Sequence, residues 1–374
     1  MSRFTLIILS LLALSLSACA DETREKTLEE ETLESIRAAT RDPFEQPFTS
    51  ESIWNMPIGS EARYAKVDIE PAKNTAADVV HVLRMEESDP LRQVYVPNAW
   101  FDKGEPRCSG REKIDLKLRL PDDYIVPDIG NSPYGVTPNS TFAFILPDGK
   151  TVLGGSIARC KEGGAAYMPP HFRWPNNVEK AKGNLYGNGL DGRGHGATQL
   201  SSFGGLLREG ELTNNAPIRH TLKMMLWGKK LLYYDAETEG YRWPAKSADK
   251  YAPSTYSGTK KPLRMGSLLA IPPEVERSDL GLETKAARKV FQALKDYGAY
   301  VTEDTNWDAQ AITISEPAYL EFERVYGYTL EDNGTPWARD LDKLVSVLHV
   351  VDNNYPKRIG GGGTPRRPLL PPLK

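Results

Sequence analysis

A glycine-rich segment between Gly183 and Gly196 carries three residues that could do acid–base chemistry. Asp191, Arg193 and His195 alternate along it, so an extended backbone would project their side chains toward one face. There an arginine can hold an anion while an imidazole or a carboxylate moves a proton. The spacing predicts a site for an acidic ligand, but a structural loop in which Asp191 pairs with Arg193 explains the pattern equally well.

Glu211, Arg219 and His220 form the next group of ionisable residues along the chain. A glycosidase needs two carboxylates about 5 to 10 Å apart, and Asp191 with Glu211 would supply them. A lyase needs a base and a cation that stabilises an enolate, for which one histidine and one arginine would serve. A solvated turn is the other interpretation of Glu211. The predicted catalytic residues are Asp191, His195, Glu211 and His220, with Arg193 and Arg219 as anion contacts.

Aromatic and basic residues interleave in three loops, which contain His171 and Trp174, Trp243, and Tyr256. Sugar rings stack on aromatic side chains, so these four residues are predicted to bind substrate. Packing in the interior is the alternative for each tryptophan. Neither Cys-x-x-Cys nor His-x-x-x-His occurs, so the sequence predicts no metal site and no cofactor.

The N-terminus has the pattern of a bacterial lipoprotein signal. Arg3 precedes an apolar run over residues 4–19, and Leu16 to Cys19 resembles the site at which such signals are cleaved and the cysteine is acylated. The run is shorter than the roughly 20 residues that a membrane-spanning helix needs. The prediction is a signal peptide over 1–19 and a lipid anchor at Cys19. Ala20 after the cysteine indicates sorting to the outer membrane, with this lipid as the only membrane attachment.

Composition indicates a globular protein outside the cytoplasm. Apolar residues make up 40% of the chain, and the formal charge of −3 argues against nucleic acid as a partner. In an exported chain the two remaining cysteines, Cys108 and Cys160, are predicted to form a disulfide. Two buried free thiols are the alternative.

The rest of the chain divides into a charged tether over 20–46, a single large domain over 47–356 and a flexible Gly/Pro-rich tail over 357–374. Helices are predicted at 282–297 and 338–351. Strands are predicted at 79–83, 93–96, 141–146, 151–158, 220–227, 231–234, 266–271 and 299–302. Many short strands with two late helices predict a mainly β fold, a β-sandwich or jelly roll with a few added α-helices.

Five stretches resemble a family of secreted bacterial, and partly fungal, β-rich proteins. They are residues 51–58, 194–201, 204–212, 218–223 and 297–301. The resemblance covers about residues 48 to 305. It implies secretion and association with glycans, and it assigns no catalytic residues.

These patterns together predict a lipid-anchored enzyme of the cell envelope that cleaves an extracellular polysaccharide or oligosaccharide. Hydrolysis is preferred. The alternatives are a polysaccharide lyase acting on an acidic glycan and a non-catalytic glycan-binding lipoprotein of the surface. The glycine-rich loop with Asp191, Arg193 and His195 favours the enzyme, because a binding protein does not need such a group.

Overall fold

The computed structural model describes residues 41–97, 100, 107–108, 112–126, 139–159 and 166–373. The strands are β1 (Tyr64–Lys66), β2 (Asn74–Arg84), β3 (Leu91–Val96), β4 (Glu112–Arg119), β5 (Thr141–Ile145), β6 (Thr151–Ser156), β7 (Ala158–Arg159), β8 (Ala166–Tyr167), β9 (Lys182–Asn184), β10 (Leu222–Leu226), β11 (Leu268–Ala270), β12 (Ala299–Asp304), β13 (Ala309–Ser315) and β14 (His349–Val351). The helices are α1 (Pro175–Ala181), α2 (Gly228–Leu231), α3 (Ala252–Thr255), α4 (Arg277–Leu280), α5 (Lys285–Asp296), α6 (Glu316–Tyr326) and α7 (Pro336–Ser346). Short 3-10 turns cover Pro170–Arg173 and Ile359–Gly361.

The strands form a ten-stranded and a four-stranded sheet. The larger has the order β1-β14-β11-β12-β10-β13-β2-β5-β6-β9, and the smaller β4-β3-β8-β7. Strand content is 26% against 19% helix, which confirms the predicted mainly β fold with added helices. The larger sheet is mixed, because β10 pairs with β12, β13 with β2, and β2 with β5 in parallel. These parallel pairs were not expected from the sequence.

Helices α5, α6 and α7 cover one face of the large sheet. Helix α5 begins at Thr284, whose side chain accepts a hydrogen bond from Ala287 N, and Gly298 follows its end at φ 78°. Val290 and Leu294 lie on its buried face, in one core with residues of β10, β12 and β13. The helix predicted at 282–297 is therefore confirmed, and its apolar stripe packs on the sheet as expected.

A second core lies between the four-stranded sheet and strands β5 and β6. Val94 and Ile114 of the small sheet pack there with Phe142 and Phe144 of the large one. Side chains of two sheets thus interdigitate across this part of the molecule, as in a sandwich. Phe172 of the turn before α1, and Val178 and Ala181 of α1, also belong to this core.

Two predicted elements differ from the structure. The segment 231–234 was expected to be a strand, but α2 ends at Leu231 and no strand follows before Leu268. The segment 338–351 divides into α7, which ends at Ser346, and strand β14. Both differences arise where an apolar run is too short for its period to distinguish helix from strand.

The C-terminal segment 357–373, predicted to be flexible, packs on the body instead. Gly59 N donates to Gly360 O, and Arg366 N donates to Ile58 O. A Cβ at Gly59 would lie 2.0 Å from Gly362 O, so these backbones approach more closely than side chains allow. The glycine run thus serves close packing rather than mobility.

The lipoprotein signal, Cys19 and most of the tether lie outside the described residues, as does Cys160. The lipid anchor and the Cys108–Cys160 disulfide therefore remain predictions. In the described part of the chain, no helix has the length and apolarity needed to cross a bilayer.

Candidate functional site

A row of polar side chains crosses the centre of the large sheet. Asp78 of β2 pairs with Thr313 of β13, and the β13–β10 register places Lys223 of β10 opposite Thr313. Leu222 and Met224, which flank Lys223 in β10, belong to the core beneath the helices. Because side chains alternate along a strand, the polar row faces away from the helices, toward the glycine-rich loop.

A β-bulge brings Glu303 to this polar face. In the β10–β12 pairing, Met224 lies opposite Val301, but Met225 lies opposite Glu303. The extra residue in β12 shifts the alternation, so Glu303 projects on the same side as Lys223 rather than on that of Val301. Without the bulge this carboxyl group would point at the helices.

The glycine-rich loop places His195 over the row. The loop is connected to the sheet because Thr198 N donates to Thr302 O of β12. Within the loop, His195 N donates to Leu200 O. The imidazole is fully buried. Its Nε2 lies 2.8 Å from Asp78 Oδ2 and 3.6 Å from Glu303 Oε2.

Lys223 fixes the other side of the imidazole. Its Nζ lies 3.1 Å from His195 Nδ1 and donates to Ser201 O at 2.7 Å and Ser202 O at 3.0 Å. The same Nζ lies 5.4 Å from the centroid of the Trp54 ring. A lysine with no exposed surface therefore contacts three polar partners and an aromatic face.

Burial and mutual charge shift the pKa values in this group. Burial lowers the pKa of Lys223 to about 7, although Asp78 acts in the opposite direction. Burial and Lys223 lower the pKa of His195. Burial and the charges of Asp78 and Asp249 raise the pKa of Glu303 well above its usual range. Burial also acts to raise the pKa of Asp78, but His195 and Lys223 outweigh it and the value is lowered.

Asp78, His195 and Glu303 could hold a metal ion. Their potential ligand atoms all lie within 4.8 Å of one another. The sequence predicted no metal site, because the prediction considered only ligands that are close together along the chain. These three come from two strands and a loop that are distant in the chain.

A cavity of about 360 Å³ opens above Glu303. Three of its lining side chains are basic or imidazole groups, namely Lys180, Arg193 and His171. The rest of the lining is mainly amide, hydroxyl and aromatic, contributed by Asn139, Thr141, Ser156, Phe172, Asn177 and Gln199. Asn139 Nδ2 donates to Glu303 Oε1 at 2.8 Å, so one amide joins the cavity to the buried group. Glu303 is the only acidic residue among the described lining residues.

A second cavity of about 480 Å³ adjoins the first. The two share Lys180 and Arg193, and the second is also lined by Asp191, Lys182 and Lys246. Lys182 is paired with Glu179 at 2.6 Å. Basic side chains therefore line both cavities, and the second also contains the carboxylates of Glu179 and Asp191.

The structure separates the three alternating residues of the glycine-rich loop. Arg193 is exposed and lines both cavities, whereas Asp191 is exposed and lines only the second. His195 is buried beneath the loop. The expected common face does not form, because residues 190–194 are not a strand and the positive φ of Gly192, between Asp191 and Arg193, interrupts the extended backbone that the alternation requires.

Glu211 and His220 form a pair of their own. His220 Nε2 lies 3.1 Å from Glu211 Oε2, and Arg208 N donates to the same carboxylate at 2.7 Å. Neither residue is among the described residues lining the cavities. Arg219 is buried and donates to Pro368 O at 3.1 Å, where it holds the C-terminal segment. The four predicted catalytic residues therefore do not line one cleft.

The predicted aromatic contacts have different surroundings. Trp174 is 67% exposed and precedes α1, which contributes Asn177 to the cavity. Trp243 packs, partly buried, against the core around Trp54. Tyr256 is buried, and its hydroxyl group donates to Asp249. Of these predicted contacts, His171 alone lines the first cavity.

Asp78, Lys223 and Glu303 were not singled out from the sequence. Asp78 and Lys223 could have been found from the sequence. Asp78 lies between Ala77 and Val79 in a strand whose residues are mostly buried. Lys223 likewise stands between two buried apolar residues of β10. A charged residue inside a buried strand indicates a paired or functional group, since burying an unpaired charge is costly.

Gly196 offers a test of how closely the loop packs on Glu303. Its φ is 52°, and a Cβ there would lie 2.8 Å from Glu303 Cβ. Gly196→Ala is expected to lower the free energy of unfolding by about 2 to 4 kcal/mol, the sum of backbone strain and overpacking. Urea denaturation of the variant and the wild type measures this change in the free energy of unfolding.

Gly281→Ala is the matched control, because Gly281 also has φ 52° but a Cβ there would meet no atom within 4 Å. Its free energy of unfolding should fall only by the cost of backbone strain, about 1 to 2 kcal/mol. Equal losses in the two variants would contradict the close packing of the loop on Glu303.

No known protein family, no curated protein and no solved structure matches the chain. The resemblance to secreted β-rich proteins therefore remains a prediction, and the function is inferred from the site.

Proposed function

We propose that this protein is a polysaccharide lyase that cleaves an acidic glycan by β-elimination in the cavity above Glu303. The observation that carries the proposal is the lining of that cavity. Lys180 and Arg193 can pair with the carboxylate of a uronic acid, and His171 lines the same cavity. The amide, hydroxyl and aromatic groups around them suit the hydroxyl rim and apolar face of a sugar ring.

Hydrolysis, the preferred reaction from sequence, is less well supported. The usual mechanism needs two carboxyl groups on either side of the scissile bond. Among the described residues, Glu303 alone brings a carboxyl group to the first cavity, and Glu179 and Asp191 line the second. Elimination needs a base and positive charge instead, and both are present.

Three side chains of the cavity share the steps of elimination in a bound uronate. Arg193 and Lys180 hold the carboxylate and stabilise the negative charge that develops on it. The His171 imidazole takes the proton from C5, and the electron pair left behind forms the C4–C5 double bond as the C4–O4 bond breaks. The leaving oxygen receives the proton that His171 carries, so the imidazole returns to its neutral form.

His171 has the properties that this role requires. Partial burial and the nearby charge of Lys250 lower its pKa from the ordinary value, which favours the neutral ring. It is the only imidazole among the described lining residues of the cavity. A neutral imidazole next to fixed cations can accept a proton from a carbon acidified by them.

The direct test is to incubate the protein with soluble polyuronates and with a neutral glucan. An unsaturated uronic product absorbs at about 235 nm, because its double bond is conjugated with the carboxylate. The proposal predicts this absorbance with at least one polyuronate and none with the glucan. Cleavage without the absorbance would indicate a hydrolase, and binding without cleavage would indicate a glycan-binding protein; either result would overturn the proposal.

Arg193→Ala should weaken binding of the acidic substrate. Loss of this charged partner is expected to raise KM by about 10- to 100-fold and also to lower kcat, because Arg193 stabilises the charge that develops in the transition state. Arg324→Ala serves as the control, because Arg324 is exposed on α6 and outside both cavities. Steady-state kinetics at low and high salt measures the effect, and an unchanged KM in Arg193→Ala would contradict the anion-binding role.

The proposed location follows from the predicted N-terminus. Attachment through the lipid at Cys19 would hold the enzyme at the outer membrane, where extracellular polysaccharides are accessible. Labelling with a radioactive fatty acid tests this attachment, and Cys19→Ala should abolish the label.

A further inference from the structure

We propose that Asp78, His195 and Glu303 form a binding site for one divalent transition-metal ion such as Zn²⁺ or Mn²⁺. Binding of this ion is a property beyond the proposed reaction and does not depend on it. Three buried polar atoms point to the site.

Asp78 Oδ2, His195 Nε2 and Glu303 Oε2 are all buried, and none of the three has a hydrogen-bond partner among the described residues. The 2.8 Å contact between Nε2 and Oδ2 has ion-pair length but not the geometry of a hydrogen bond. Buried polar atoms are rarely left unpaired, and here three of them converge within 4.8 Å. A shared cation would satisfy all three at once.

The donor set selects the kind of ion. One imidazole nitrogen and two carboxylate oxygens suit Zn²⁺ or Mn²⁺, whereas soft metals prefer thiolates. Calcium takes six to eight oxygen ligands, which this group does not provide. Three protein ligands also leave coordination positions free.

The surrounding groups orient the ligands as outer partners of a metal site do. Lys223 contacts His195 Nδ1 and keeps the ring turned so that Nε2 faces the carboxylates. The other ring nitrogen, Nδ1, lies 3.1 Å from Lys223 Nζ, and this lysine is itself held in place because it donates to Ser201 O and Ser202 O. Asn139 likewise orients Glu303 through its other oxygen, Oε1.

The site opens toward the cavity through Glu303. Asp78 and His195 are buried, but Glu303 lines the cavity and its side chain is 13% exposed. The free coordination positions therefore face the place where a substrate would bind. A carboxylate or a water molecule from the cavity could complete the coordination shell.

The experiment is a metal titration of the full-length protein in the absence of substrate. Calorimetry with Zn²⁺ and electron paramagnetic resonance with Mn²⁺ should show one ion bound per chain. Asp78→Asn and Glu303→Gln keep the side-chain shape and should each weaken binding at least about tenfold. Circular dichroism checks the fold, and if Asp78→Asn does not fold, the less buried Glu303→Gln decides.

Glu211→Gln is the matched control, because Glu211 pairs with His220 at 3.1 Å and the pair has no third ligand among the described residues. Its metal affinity should equal that of the wild type. Absence of saturable binding by the folded wild type up to about 1 mM ion would overturn the proposal. So would equal affinities in the wild type and Glu303→Gln. Because no substrate is present, these results are independent of whether the lyase reaction occurs.

Discussion

His171→Ala is expected to reduce kcat for an acidic polysaccharide by about 10²- to 10⁴-fold, the usual contribution of a general base. The side chain is exposed at the cavity, and its removal leaves the fold intact. KM should change little, because Lys180 and Arg193 still hold the substrate. The absorbance assay at about 235 nm measures the rate.

The pH dependence of the wild type is a second readout of the same residue. Partial burial and Lys250 lower the pKa of His171, and Lys180, Arg193 and Glu303 also face the cavity. A general base works in its neutral form, so kcat/KM should rise as the pH increases through this lowered pKa and then level off. In His171→Ala this acidic limb should disappear from the residual activity.

His349→Ala provides the control, because His349 lies on β14 and contacts Val347 O rather than the cavity. It should retain wild-type turnover and the same pH profile. Retention of more than about a tenth of the wild-type turnover by His171→Ala would show that another group is the base.

Lys223→Met is expected to destabilise the protein by about 2 to 5 kcal/mol, one of the largest losses that a single substitution can cause here. Methionine has a similar length but cannot donate to Ser201 O and Ser202 O. These carbonyl groups would then stay buried and unpaired, and the contact with His195 Nδ1 would be lost. Removal of a buried amino group offsets part of this cost.

Urea denaturation followed by circular dichroism measures the change in the free energy of unfolding. Lys229→Met is the matched control, because Lys229 is exposed on α2, and its stability should stay within about 0.5 kcal/mol of the wild type. If Lys223→Met were as stable as this control, the three contacts of Lys223 would not contribute to folding.

The elements whose patterns are local could be predicted from residue types and spacing. The period of apolar residues was enough to place α5, and the strands predicted at 141–146 and 151–158 correspond to β5 and β6. The mainly β class followed from many short apolar runs. Local signals suffice here because hydrogen bonds and side-chain periods within an element involve near neighbours.

The sequence also identified two residues of the first cavity, Arg193 and His171, from their residue types. The sequence analysis also singled out His195, but predicted it to face a ligand with Asp191 and Arg193, whereas it is buried beneath the loop. Period-two alternation assumes a regular extended backbone, and the positive φ of Gly192 in a segment without strand structure breaks that assumption. Both interpretations of the loop were therefore incomplete, since Arg193 faces a cavity and His195 is held inside.

Only the tertiary structure brought Asp78, Lys223 and Glu303 to His195. They come from strands β2, β10 and β12, which lie in the sheet in the order β12-β10-β13-β2, unrelated to the order in the chain. The bulge that turns Glu303 toward the site depends on pairing with β10 and has no mark in the sequence. Contacts between residues this far apart form only when a particular sheet order buries them together, which is why chemistry at the centre of this protein could not be read from spacing along its chain.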